Sequence, residues 1–224
     1  MQALFDINHT LFTAWGYKVS PLELLGTSTG LACVWLTARE KVLCWPVGIA
    51  NIVFFFVLFY QHRLYSDMFL QVYFLATSLY GWWKWTHPAP AEENRRHELR
   101  ITRLRAGRLA LIAAGCAIAV AALGTLVGRL HAIVPAVFPE PAAFPYADTA
   151  VAVASVAAQF IMARKKIECW LFWIGVDILA TAIYFLKGIN LLAIEYAVFG
   201  CIALYGFLGW RREMRSYETE GAPA

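Results

Sequence analysis

The chain has 224 residues, of which 60% are apolar and 15% charged, with a mean hydropathy of +0.57 and a formal charge of +4. A water-soluble domain of this make-up would have no polar surface, so a soluble enzyme or a nucleic-acid-binding module is excluded. Apolar stretches of about 20 residues recur instead, each able at about 1.5 Å per residue to cross roughly 30 Å of hydrocarbon, and the chain reads as an all-α polytopic membrane protein.

Residues 1–19 carry Leu4, Ile7, Leu11 and Trp15 at helical spacing, interrupted by Asp6, Asn8 and His9, and have no basic leader. They read as a short amphipathic helix on the outer interface rather than a signal peptide. Spans follow at 20–38, 44–60 and 66–85, with Pro21 and Pro46 in first turns, where a missing N–H costs little. Residues 86–108 form a basic cytoplasmic loop, with contact to anionic lipid as the sharper alternative. A linking span at 109–128 leads to an outer loop at 129–146 that carries Pro135, Pro139, Pro141 and Pro145. Spans at 147–163, 168–186 and 190–210 complete the membrane part, Gly188 stopping the sixth, and residues 211–224 form a cytoplasmic tail.

With seven spans, only Lys18, Arg63, Arg129 and Lys187 of the 19 Lys and Arg fall on one side. The positive-inside rule then puts the N-terminus outside and the C-terminus in the cytoplasm. Cys33, Cys44, Cys116, Cys169 and Cys201 include no C-x-x-C pair, and the five histidines avoid mid-span positions, so disulfide, haem and zinc chemistry drop out. No cofactor is called for.

The chain matches itself at an offset of 125 residues: Ala38-Arg39 over Ala163-Arg164, Lys41 over Lys166, Cys44-Trp45 over Cys169-Trp170, Phe74 over Phe199, Leu79-Tyr80-Gly81 over Leu204-Tyr205-Gly206, and Trp85 over Trp210. One ungapped register across three helices gives three spans, a linker and three more. Four crossings separate equivalent positions, so the repeats run parallel, an architecture of transporters whose substrate site is expected near the midplane where the repeats meet.

A polar side chain facing lipid is costly, about 2.5–3.5 kcal/mol for a central Asp, so those kept within spans should face protein or a cavity. Asp177 is the one carboxylate well inside a span, and Trp170, Trp173, Asp177, Thr181 and Tyr184 share one helical face. Gln71, Leu75, Ser78, Trp82 and Trp85 share another, and Asn51, Gln159, Glu195 and Tyr196 complete the inventory. Asn51, Gln71 and Gln159 serve either as ligand contacts or as interhelical hydrogen bonds. Glu195 is near the outer end, where a solvated or interhelical role competes, and Trp170 is open between ligand and packing. Trp82, Trp83, Trp85 and Trp210 lie at the cytoplasmic boundary, where Trp commonly anchors a helix. No Lys or Arg lies inside a span, so an anionic cargo would meet no counter-charge. Aromatic faces with one carboxylate suit a flat, polar or cationic ring bearing hydroxyls. An intramembrane enzyme would need a nucleophile with a positioned base, or a metal, and neither is in evidence.

Leu22-Glu23-Leu24-Leu25-Gly26-Thr27, Leu70-Gln71-Val72, Tyr80-Gly81-Trp82-Trp83-Lys84-Trp85, Trp170-Leu171-Phe172-Trp173 followed by Asp177, and Glu195-Tyr196 together resemble the PnuC nicotinamide riboside transporters, from about Ser20 to Arg212. The resemblance implies a 3+1+3 SWEET-like fold in the bacterial inner membrane and facilitated diffusion of nicotinamide riboside, trapped by a separate cytoplasmic kinase. It also implies a homo-oligomer, a trimer in that family. On this reading Trp173 and Trp170 stack on the nicotinamide ring, while Gln71, Asn51 and Asp177 hold ribose hydroxyls or the amide. Thr181, Tyr184, Glu195 and Tyr196 complete the lining. Sister families carry thiamine or riboflavin on the same frame, which leaves another B vitamin as the alternative cargo.

Overall fold

The computed structural model describes residues 10–14, 17–61, 65–94, 97–135 and 140–220. The N-terminal expectation is corrected where it can be compared. Phe12–Ala14 (β1) and Tyr17–Val19 (β2) pair antiparallel, with Phe12 opposite Val19, instead of forming a helix. Phe12, Thr13, Tyr17 and Val19 are aromatic or β-branched, types that sit better on a pleated strand than in a short helix. Leu4, Ile7 and Trp15 lie outside the described residues.

Seven α-helices follow among the described residues: Pro21–Ala38 (α1), Cys44–Gln61 (α2), Tyr65–Thr86 (α3), Ala106–Ile133 (α4), Pro145–Ala163 (α5), Cys169–Leu186 (α6) and Asn190–Glu220 (α7). Five of them, α2, α4, α5, α6 and α7, are long and apolar enough to cross a membrane. Polar side chains dilute the other two: Glu23, Thr27, Ser28 and Thr29 in α1, and Asp67, Gln71 and Lys84 in α3. Helix α4 is apolar on all sides and buries only Gly124, so Leu111, Ile118, Leu123 and Leu126 need a non-aqueous neighbour. The protein is therefore a multi-pass membrane protein.

Local chemistry sets the helix ends. Ser20 caps α1 through a reciprocal box: Ser20 Oγ accepts from Glu23 N at 3.2 Å, and Ser20 N donates to Glu23 Oε2 at 2.8 Å. Pro145 opens α5 at its first position. Gly188, with φ 74°, closes α6 as Gly188 N donates to Phe185 O and Ile189 N to Tyr184 O.

The chain forms two compact units, Met1–Arg100 and Ile101–Ala224. In the first, α2 packs on both α1 and α3; in the second, α4 packs on α5, α5 on α6, and α6 on α7. The turn after α1 and the turn after α5 have the same construction. Each helix ends on an arginine with nearly identical dihedrals, Arg39 at −92°, 9° and Arg164 at −91°, 7°. A left-handed residue follows, Glu40 with φ 60° and Lys165 with φ 51°. Glu40 N donates to Thr37 O and Lys41 N to Leu36 O; Lys165 N donates to Met162 O and Lys166 N to Ile161 O. The Arg39 guanidinium lies 4.8 Å over the Trp35 ring, and Arg164 lies 4.3 Å over Phe160. Every one of these pairs is 125 residues apart.

The two turns differ in what covers them. In the second unit, Ile101–Leu104 runs along the α5–α6 turn: Thr102 N donates to Lys165 O, Ile167 N to Thr102 O, Lys166 Nζ to Thr102 Oγ1 at 2.6 Å, and Leu104 N to Glu168 Oε2 at 3.0 Å. Glu168 is consequently 7% exposed, whereas Leu43, its counterpart in the first unit, is 59% exposed. The stretch that reads as an unstructured basic loop thus contains an ordered strap, and Leu99 and Ile101 are buried within it.

Candidate functional site

Helix α6 leaves the α5–α6 turn at Cys169, which fixes its register and aims the stripe from Trp170 to Tyr184 at its neighbours. At the turn end, Trp170 is 1% exposed and meets Trp210 of α7 edge to face, with centroids 5.4 Å apart and planes at 87°. A Cβ on Gly206 would stand 2.6 Å from Trp170 Cζ2, so only glycine lets α7 approach this ring. The indole N–H of Trp170 finds no acceptor among the described residues, and neither does that of Trp45, its counterpart in the first unit. Trp45 meets Trp85 at 5.3 Å and 87°, and Gly81 makes the room.

These contacts correct one expectation. Trp85 and Trp210 are buried partners in tryptophan pairs and not interfacial anchors; the rings that stay exposed at that boundary are Trp82 and Trp83. The Trp170 ring is buried between Gly206 and Trp210. Trp173, one turn further along α6, is only half-buried.

Asp177 is 5% exposed, and its carboxylate makes no hydrogen bond or ion pair among the described residues. It packs toward α7 at Gly200, where an added Cβ would stand 3.4 Å from Asp177 Cβ. A central intramembrane Asp costs about 2.5–3.5 kcal/mol to insert, a cost that structural carboxylates offset with partners. Thr181 does not serve as that partner, because its hydroxyl donates to the backbone carbonyl of Asp177 at 2.7 Å.

At the far end of the seam, Tyr184 stacks on Tyr196 of α7 with centroids 5.4 Å apart and planes at 15°, and Tyr196 leans on Phe199 at 6.1 Å. The Lys187 ammonium lies 5.9 Å over the Tyr184 ring and pairs with Asp148 at 3.0 and 3.1 Å. Glu195 is half-buried beside Tyr196 on α7. The second unit therefore arranges Trp170, Asp177 and Tyr184 of α6 along one continuous contact with α7.

The polar candidates of the first unit divide. Asn51 Nδ2 donates to the Gly26 carbonyl at 2.6 Å and approaches Thr29 Oγ1 at 3.4 Å, which clamps α2 to α1. Gln71 is buried on α3 with no hydrogen-bond partner for its amide among the described residues. Gln159 is buried on α5. Sequence reasoning missed Gly200, for which the only signal is its position one helical face from Tyr196 and opposite Asp177. It also missed the purpose of Gly81 and Gly206, although both stand in the repeated Leu-Tyr-Gly.

Residues 20–212 match the family described as nicotinamide mononucleotide transporter. The chain is 30% identical over 222 residues to the nicotinamide riboside transporter PnuC of Escherichia coli strain K12, covering 92% of each. It is 28% identical to the riboflavin/roseoflavin transporter RibM of Streptomyces davaonensis, covering 97% of this chain and 99% of that one. Its fold is similar to the crystal structure of the vitamin B3 transporter PnuC, with a TM-score of 0.66 at 21% identity, over 87% of this chain and 82% of the other. The resemblance carried by the Trp170-to-Trp173 motif, Asp177 and the flanking segments is borne out, and the chain belongs to the nicotinamide mononucleotide transporter family of membrane transporters.

Proposed function

We propose that this protein carries nicotinamide riboside across the bacterial inner membrane by facilitated diffusion with alternating access, and that a cytoplasmic kinase traps the cargo. The observation that carries this reading is Asp177, a buried and unpartnered carboxylate on α6, one turn from the half-buried ring of Trp173. Trp173 stacks on the nicotinamide ring, and Asp177 accepts from a ribose hydroxyl. Trp170, closed in by Gly206 and Trp210, positions α6 rather than touching the cargo. Gln71, with its amide unpaired, donates and accepts along the substrate's path, whereas Asn51 holds α1 to α2. Thr181, Tyr184, Glu195 and Tyr196 shape the outer part of the route.

The PnuC relative named for the riboside supports that cargo over the mononucleotide of the family description. So does the absence of Lys or Arg from the interior of every span, since a phosphate would lie in the membrane without a counter-charge. We read the chain as a carrier and not an enzyme. Seven spans in a 3+1+3 parallel repeat are supported by the matching turns at Glu40 and Lys165 and by the two Trp pairs. The charge count supports an outer N-terminus and a cytoplasmic C-terminus, and a trimer follows from the family resemblance.

A second reading, riboflavin as cargo, is favoured by the match to RibM along nearly the whole chain. Calorimetry on the purified protein separates the two. Nicotinamide riboside should bind, riboflavin and thiamine should not, and Trp173→Ala should weaken riboside binding by about tenfold or more. Tight riboflavin binding with no riboside signal would reverse the assignment.

A further inference from the structure

We propose that Gly200 determines specificity: by withholding a side chain opposite Asp177, it keeps the carboxylate open to a hydroxyl of the cargo. The inference rests on the assignment of Asp177 to the substrate site and deepens it.

A glycine in a helix seam ordinarily needs only a packing reason, as Gly206 has one in the Trp170 ring. Gly200 has none of that kind. Its nearest neighbour outside its own helix is Asp177, and an added Cβ would make an ordinary contact with Asp177 Cβ at 3.4 Å, so an alanine methyl could be accommodated without moving a backbone. A larger side chain would extend from there and crowd Asp177 where it faces α7. Asp177 is buried and has no donor among the described residues. The hydroxyl one turn along the same helix is engaged elsewhere, since Thr181 Oγ1 donates to the Asp177 carbonyl. An acceptor so placed is satisfied by a ligand donor, and the missing side chain at Gly200 would leave that donor room.

The first unit shows the alternative. At the same register, 125 residues earlier, Ile52 stands for Asp177 and Leu75 for Gly200, on the packed pair α2 and α3. Ile52 is buried and apolar, so that position offers no acceptor. The matching helix of the first unit carries leucine at this register. The glycine accompanies the carboxylate, and the ligand class it admits is a polyhydroxylated group such as a ribose.

The test uses full-length protein in detergent, with nicotinamide riboside binding measured for wild type, Gly200→Ala, Gly200→Leu, Asp177→Ala and the double variant Asp177→Ala/Gly200→Leu. Gly200→Leu should weaken binding by about tenfold or more, the worth of one hydrogen bond, with the melting temperature kept. Gly200→Ala, which makes only an ordinary contact, should give a smaller loss in the same direction and reports should the leucine variant fail to fold. In the Asp177→Ala background, Gly200→Leu should cost nothing further, a non-additivity that a purely structural role would not produce. Unchanged affinity in both Gly200 variants, with Asp177→Ala impaired, would overturn the role of Gly200 alone; so would full additivity in the double variant. Unchanged affinity in Asp177→Ala would instead overturn the underlying site assignment, and this inference with it.

Discussion

Trp45 meets Trp85 edge to face at 87° with centroids 5.3 Å apart, and Trp170 repeats the arrangement on Trp210 at 87° and 5.4 Å. In each case the ring stands over a glycine, Gly81 or Gly206, and ties the start of one helix to the next helix in the chain. Each pair joins two helices of its own unit, α2 to α3 and α6 to α7, and the second holds against α7 the helix that carries Trp173 and Asp177.

Gly206→Ala should destabilise the protein. Alanine gains about 1 kcal/mol of helix propensity over glycine, but its methyl would meet a ring carbon and not a flexible chain end, and overpacking costs about 1–3 kcal/mol. The clash prevails. A thermal melt of the variant in detergent should show a lower midpoint, and Gly81→Ala should behave alike; an unchanged or raised midpoint in both would mean that the rings yield freely.

Truncating the two tryptophans of the W-x-x-W motif should separate folding from binding. Trp170→Ala empties a closed position, and a buried aromatic truncation costs about 3–5 kcal/mol, so its melting temperature should fall markedly. Trp173→Ala should keep its stability and lose riboside affinity by about tenfold or more, the scale of a stacked base. The reverse pattern, with Trp170→Ala stable and unable to bind, would exchange the two roles.

Glu168→Ala should loosen the strap without touching the cargo. A hydrogen bond to a charged group is worth about 1.5–3 kcal/mol, and the variant leaves the Leu104 N–H without its acceptor. Hydrogen exchange should quicken over residues 101–104 while riboside affinity is unchanged. Wild-type protection in the variant would show that the backbone bonds between Thr102, Lys165 and Ile167 suffice.

The mononucleotide should bind far more weakly than the riboside, because the spans offer no cation for its phosphate. Equal affinities in calorimetry would require a basic group from a helix end or loop to reach the ligand.

The helices could be read from the sequence because their signals are local: Ser20 with Glu23, Pro21 and Pro145 at helix starts, Gly188 at a stop, and apolar runs between them. The register of 125 is as plain, since identical residues carry it: Arg39 with Arg164, Lys41 with Lys166 and Trp45 with Trp170. What escaped depends on contacts remote in sequence. Ile101 stands in a stretch too short to stand out among charges, and its strap is ordered by a turn some 60 residues later, as Leu104 reaches Glu168. Trp85 and Trp210 sit where anchors sit, and composition cannot tell an anchor from a ring packed on a neighbouring helix. Helix α7 continues to Glu220 because nothing after Trp210 breaks it, although Arg211 and Arg212 end its apolar run. For the site, the face shared by Trp173 and Asp177 follows from spacing alone, whereas the closure of Trp170 and the notch at Gly200 are properties of α7 seen only once it is packed against α6.

The most direct test of riboside transport is counterflow in proteoliposomes that hold the purified protein and unlabelled nicotinamide riboside, with labelled riboside added outside. Transient accumulation of label that needs no proton or sodium gradient, and that is lost in Asp177→Ala, is the predicted result. Vesicles that bind riboside but never take up label, or that do so only with an ion gradient, would contradict it.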